Sequence, residues 1–315
     1  MARLAAGTTG TTLTTMSTLT ANILAAELDV ELLGKDLAVL APSPIFSAQE
    51  GNLTFVSDAS HYSEALDLAL SRGAIVLAPR GTELPVDARG CLLLVDNPRA
   101  SFGLAVAQFF VPQIEAGVAA SARVHPNAIV HATAHVGEFS VIRDGAVIEA
   151  NAEIRDHVVI GRDVVVGESA LVKSHAVIGE EGFGIEKDAA GNNFHVPHIG
   201  SVVLGAHTEV GNFTTVCSGT ITPTVIGDFT KIDDHVHIAH NCQIGRNVII
   251  TACAEVSGSV VLEDGVWLGP NSSIIQGVTL GQDSLLGIGA VALKSIPANE
   301  IRVGNPARRL GDNKK

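Results

Sequence analysis

The sequence predicts a mainly β protein, a parallel β-helix of hexapeptide repeats preceded by a small N-terminal α/β domain. Every sixth residue from Val124 to Ile178 is Val or Ile. The beat returns as Leu204, Val210 and Val216, and from Ile226 to Leu286 every sixth residue is again Val, Ile or Leu. Four places further on, a second position holds mostly small residues, as in Ala128, Ala134, Ser140, Ala254, Ser272 and Ser284. One bulky and one small apolar residue per six match a hexapeptide solenoid. A helix is excluded because six is not a multiple of its 3.6-residue turn.

Taken in order, residues 1–16 are Thr-rich without a secretory apolar region and read as a disordered leader, with Met16 as a candidate start. Residues 17–115 read as an α/β domain. TANILAAELDVEL has helical spacing, AIVLAP and CLLLV read as buried strands, and ASFGLAVAQFF reads as a second helix. Residues 116–290 form the coil. Three hexads close one turn, so residues eighteen apart stack at about 4.8 Å. Two stretches break the beat, 179–198 and 218–224, and must leave the coil as loops, where rigid scaffolds carry function. Residues 291–315 read as a short tail, in which Pro297 and Pro306 exclude a long helix.

Bulk properties narrow the function. A net charge of -13 opposes nucleic-acid binding, where basic stripes are the rule. No run of 18 apolar residues predicts a membrane span. Cys91, Cys217, Cys242 and Cys253 show neither a zinc spacing nor a disulfide framework, which suits a reducing, cytoplasmic setting.

The densest chemistry lies in KIDDHVHIAHNCQIG, residues 231–245. Ile238 and Cys242 point inward on the repeat, so His240 and Asn241 fall outside, near a corner. An imidazole there titrates near neutral pH and suits a general base. Gly258 lies eighteen residues on, one rung along, where a bare backbone N–H suits a developing oxyanion. Gln276 is a rung further and is a candidate substrate contact. Asp233 is a candidate to orient the imidazole if the corner folds it close. The string His235-x-His237-x-x-His240 also admits a metal-binding reading.

These residues carry a family resemblance. NLTFVSDASHY, LLLVDNP, GEEGFG, the PHIG that closes that loop, and KIDDHVHIAHNCQIG resemble the UDP-3-O-acylglucosamine N-acyltransferases of the lipid A pathway, from about residue 17 to about 290. The resemblance implies a left-handed coil and a homotrimer with active sites between neighbouring coils. It implies a uridine-binding first domain and an acyl-phosphopantetheine donor. His240 matches the family's general base, Asp233 the carboxylate near it and Gly258 the oxyanion donor. Phe55 and Tyr62 correspond to the aromatics flanking the uracil. There is one residue more between them than the family pattern has. A second active-site histidine has no counterpart around Gln276 and Gly277.

The family's helical C-terminal extension is also missing. Instead, IGAVALKSIPANEIRVGNPARRL resembles the ending of sugar acetyltransferases that use coenzyme A. Residues 294–315 carry a local charge of +4, and Lys294, Arg302 and Arg308 are candidates for the phosphates of acyl carrier protein or coenzyme A. The leading expectation is therefore transfer of a (3-hydroxy)acyl group from such a thioester to the amine of a UDP-linked amino sugar, with no metal and no bound cofactor. A coenzyme A-dependent enzyme of another surface glycan, a γ-carbonic anhydrase-like hydratase and a non-catalytic nucleotide sensor are the rivals.

Overall fold

The computed structural model describes residues 19–112 and 114–313; the expected leader lies outside them. The chain divides into two compact units, the first ending at Gln113 and the second starting at Ile114.

The first unit is a five-stranded, mostly parallel sheet flanked by helices α1 (Ala21–Glu27), α2 (Ser63–Arg72) and α3 (Pro98–Phe109). Ile75–Pro79 and Cys91–Val95 pair in parallel in its interior. Both are almost wholly buried, which is why they read as unbroken apolar runs. Thr20 caps α1 and Asn97 caps α3, each side chain accepting a backbone N–H. Helix α2 was not anticipated from the sequence. It buries Ala65, Leu66, Ala69 and Leu70 on one face.

The second unit is a parallel β-helix of three sheets with nine, eight and eleven strands. Partners in the undisturbed rungs are eighteen residues apart, as in Val141↔Val159 and His237↔Glu255. The repeat residues fill the interior: Ile142, Ile160, Ile178, Ile238, Val256 and Ile274 are at most 1% exposed. Burying each such side chain contributes about 1.5–3 kcal/mol. Between strands, the second residue of most corners has positive φ, among them Asn151, Asp163, His235, Asn241 and Ser259. At the corner joining the eleven- and nine-stranded faces, these residues build a ladder. The rings of Phe139, His157, His175, Phe213 and His235 stack in sequence at 4.8–5.2 Å.

Residues 291–312 do not form a tail. Val291–Ala292 adds a ninth strand to one face, and Glu300–Val303 pairs with Leu285–Leu286. Arg308–Asp312 then folds back antiparallel on Glu300–Val303. The apolar beat stops at Leu286, but the open sheet edge still offers unpaired backbone groups, and this segment takes them up.

Candidate active site

Both breaks in the repeat leave the coil at one corner. The first departs after Val177–Ile178 and returns at Val202–Leu204; the second departs after Thr215–Val216 and returns at Thr224–Ile226. His240 occupies the same corner one rung later, between His237–Ile238 and Gln243–Ile244. Two insertions and the conspicuous imidazole therefore share one edge of the prism. Backbone hydrogen bonds continue the stack, Ser259 N–H to His240 O and Gly277 N–H to Gly258 O.

His240 is partly covered and lies outside the coil's core. A Cβ built on Gly258 would stand 2.7 Å from its Cε1 and 2.8 Å from its Nε2. The ring thus lies flush against a backbone with no side chain. No acceptor for the Gly258 N–H is found among the described residues. Gln276, the next rung along, is exposed.

Asn241 joins this corner to the second excursion. Its amide oxygen accepts the Thr220 N–H at 2.7 Å and its own N–H donates to Thr224 Oγ1 at 3.0 Å. The amide orientation is thereby set, and its NH₂ donates to Thr220 Oγ1 at 3.0 Å and His240 Nδ1 at 3.1 Å. With Nδ1 accepting, the neutral ring of His240 carries its proton on Nε2. Asn241 has a φ of 61°, a left-handed conformation that asparagine tolerates better than most residues.

The first excursion supplies a neighbour that the sequence reading did not single out. His198 stands edge-on to His240, ring centroids 5.0 Å apart at 62°. Gly182 of the GEEGFG string packs against both: a Cβ there would lie 2.9 Å from His240 Cβ and 3.1 Å from His198 Nε2. Burial, and then the charge of His198, hold the His240 pKa below its ordinary value. The signal was present in PHIG, but nothing local in the sequence connects a loop histidine with one 42 positions later.

Asp233, expected close to the imidazole, is not beside it within this chain. It follows Lys231–Ile232, at the corner that bears the aromatic ladder, and its carboxylate accepts the Asp234 N–H at 2.8 Å. One side of the triangle separates that corner from His240's. The His-x-His-x-x-His string is dispersed likewise. His235 stacks on Phe213, His237 lies exposed on a strand, and the metal-competent group found among the described residues contains none of the three.

In the first unit, Phe55 and Tyr62 line one apolar cavity of about 600 Å³ together with Pro42, Ile45, Phe46 and Phe102. Phe55 also packs on Phe102 at 5.0 Å, and Phe46 approaches Tyr62 edge-on at 6.1 Å. The roles of Phe46 and Phe102 were not read from the sequence. At the end of the coil, Lys294, Arg302, Arg308 and Arg309 line a cavity of about 350 Å³. Within it the Arg302 guanidinium is held by Glu300 at 2.7 Å. No helix among the described residues is long and apolar enough to cross a membrane.

Comparison with known proteins agrees with this architecture. Residues 139–174 and 223–258 match the bacterial transferase hexapeptide (six repeats) family model. The UDP-3-O-acylglucosamine N-acyltransferase of Neisseria meningitidis serogroup B is 39% identical over 264 residues, 78% of this chain and 74% of that protein. The enzyme of the same name from Campylobacter lari is 35% identical over 294 residues, covering 90% and 91% of the two chains. The structure of LpxA from Acinetobacter baumannii superposes with a TM-score of 0.58 at 25% identity, over 62% of this chain and 74% of that one; the shared fold is a left-handed parallel β-helix. With near full-length similarity and a repeat-built coil, the chain belongs to the UDP-3-O-acylglucosamine N-acyltransferase family and is an acyltransferase.

Proposed function

We propose that this chain moves a (3-hydroxy)acyl group from an acyl thioester to the amine of a UDP-linked amino sugar, UDP-3-O-acylglucosamine in lipid A synthesis. The observation that carries the chemistry is the imidazole of His240 seated on the bare backbone of Gly258. The amine nitrogen attacks the thioester carbonyl, forming C–N while the Gly258 N–H donates to the developing oxyanion. His240 takes the proton released by nitrogen and returns it to the departing sulfur as C–S breaks. Its depressed pKa keeps the ring neutral, and so ready to accept, at neutral pH.

The tautomer favoured by Asn241 leaves the lone pair on Nδ1. For Nε2 to act as the base, an acceptor must meet Nδ1–H instead. Asp233 cannot do so from its own corner, so the reading assigns that role to Asp233 of a second copy. The site is then completed between neighbouring coils of a homotrimer. Asn241 and Gln276 flank the acceptor sugar.

The apolar cavity with Phe55 and Tyr62 suits a planar uracil, whose faces stack on aromatic rings. The cavity with Lys294, Arg302 and Arg308 suits the phosphates of the donor, whether acyl carrier protein or coenzyme A. The reading places the reaction in the cytoplasm.

The test is a transfer assay crossing UDP-amino sugars with both thioester donors. N-acylated UDP-3-O-acylglucosamine is the expected product. Product from acetyl-coenzyme A and a different sugar alone would move the enzyme to another glycan.

A further inference from the structure

The excursion that covers His240 carries, beside His198, two side chains for which the proposed acyl transfer has no use. Glu181 stands on its outgoing arm, and His195 and His198 on its returning arm. Between them runs a small hairpin, Ile185–Lys187 against Asn193–His195. All six hairpin residues are exposed, so no apolar core holds the two arms together. Glu181, His195 and His198 nevertheless each bring one ligand atom within 4.8 Å of the others.

Two further details point to a ligand. The Nε2–H of His195 donates to the Gly182 carbonyl at 2.8 Å, which leaves Nδ1 with the lone pair, 3.2 Å from Glu181 Oε2. Metal-binding imidazoles are commonly oriented by such a bond from the other nitrogen. His198 is only 6% exposed, and neither of its ring nitrogens has a hydrogen-bond partner among the described residues. A buried polar group without a partner is costly, and a cation would satisfy it.

We propose that Glu181, His195 and His198 bind a zinc-type divalent ion that staples the two arms of the excursion beside His240. Two imidazoles and one carboxylate favour zinc-like ions over magnesium or calcium, which take oxygen ligands. Ligands about 2.0–2.1 Å from a tetrahedral ion stand about 3.4 Å apart, close to the observed Glu181–His195 spacing. Three protein ligands leave the fourth place to water from the cavity of about 430 Å³ that Glu181 and His198 line. Closing the excursion in this way holds His198, and with it Gly182, against the catalytic imidazole.

The experiment uses the full chain, stripped with a chelator, titrated with zinc and desalted. Bound zinc is counted by elemental analysis, and amide exchange across 181–198 is followed with and without the ion. About one zinc per chain is expected, with exchange slowed in the hairpin. Glu181→Gln and His195→Asn, both at exposed positions, should lose the zinc and the protection while the coil melts as before. His240→Ala should keep both. A parent chain that retains no zinc overturns the proposal and leaves the Glu181–His195 contact as an ion pair only. Zinc retained equally by the two ligand variants, or zinc that leaves exchange unchanged, overturns it as well. None of these readouts depends on acyl transfer, so their failure is distinct from failure of the proposed reaction.

Discussion

Gly258 and His240 sit so close that a single methyl on the glycine would overlap the imidazole, 2.7 Å from Cε1 and 3.2 Å from Nδ1. Gly258 has no left-handed backbone, so alanine is conformationally acceptable there; the conflict is with the ring alone. Gly258→Ala should therefore leave the melting temperature nearly unchanged and lower kcat about 100-fold by displacing the base. Parallel melting curves and single-turnover rates check this. Unchanged turnover would remove Gly258 from the site.

His240→Ala should lower kcat about 10²–10⁴-fold, the usual share of a general base, with uridine-nucleotide binding to the first unit preserved. Calorimetric titration with UDP separates the two effects. A variant that transfers acyl groups at the parent rate rules out His240 as the base.

Because burial and His198 depress the His240 pKa, the acid limb of kcat should fall below the ordinary imidazole value of 6.5. The direction follows from the role: only the neutral ring accepts a proton, so activity is lost as pH drops through the site's own pKa. A kcat–pH profile with its acid limb above 6.5 would contradict the assignment.

If Asp233 serves His240 of a second copy, two inactive chains should rescue one another. Co-expressed His240→Ala and Asp233→Ala chains are expected to regain activity at about a quarter of the sites under random assembly into trimers. Each variant alone stays inactive. Mixed trimers with no recovered activity would place Asp233 outside the shared site.

Thiol chemistry offers an independent check on the fold. Burial pushes Cys91 and Cys242 up to about 12 and Cys217 to about 11, whereas Cys253 is exposed. Maleimide at pH 7.5 should label Cys253 alone until the chain is denatured. Rapid labelling of Cys242 in the native protein would mean that the His240 corner is open.

Much of the coil was readable because its geometry is local. A corner every six residues and an inward aliphatic at each turn leave their marks directly on the chain. Eighteen-residue addition was then enough to stack Gly258 on His240 without any coordinates. In the first unit the buried strands were legible as apolar runs, but α2 was not, since its buried face is built largely from alanine and leucine beside Ser, Asp and Glu.

Where stacking arithmetic ended, the tertiary structure decided. Counting residues puts Asp233 and His240 in successive hexads, but it cannot say which groups meet at either corner until the three sheets are in place. It also cannot aim a returning loop, so the meeting of His198 and Gly182 with His240 across the first excursion was invisible. The same holds for residues 291–312, which close the end of the coil by backbone pairing and by burying Ala292, Ile296 and Ala307 against its core. Periodic contacts between fixed neighbours are written in the sequence, whereas contacts made by inserted loops depend on where the rigid coil lets them land.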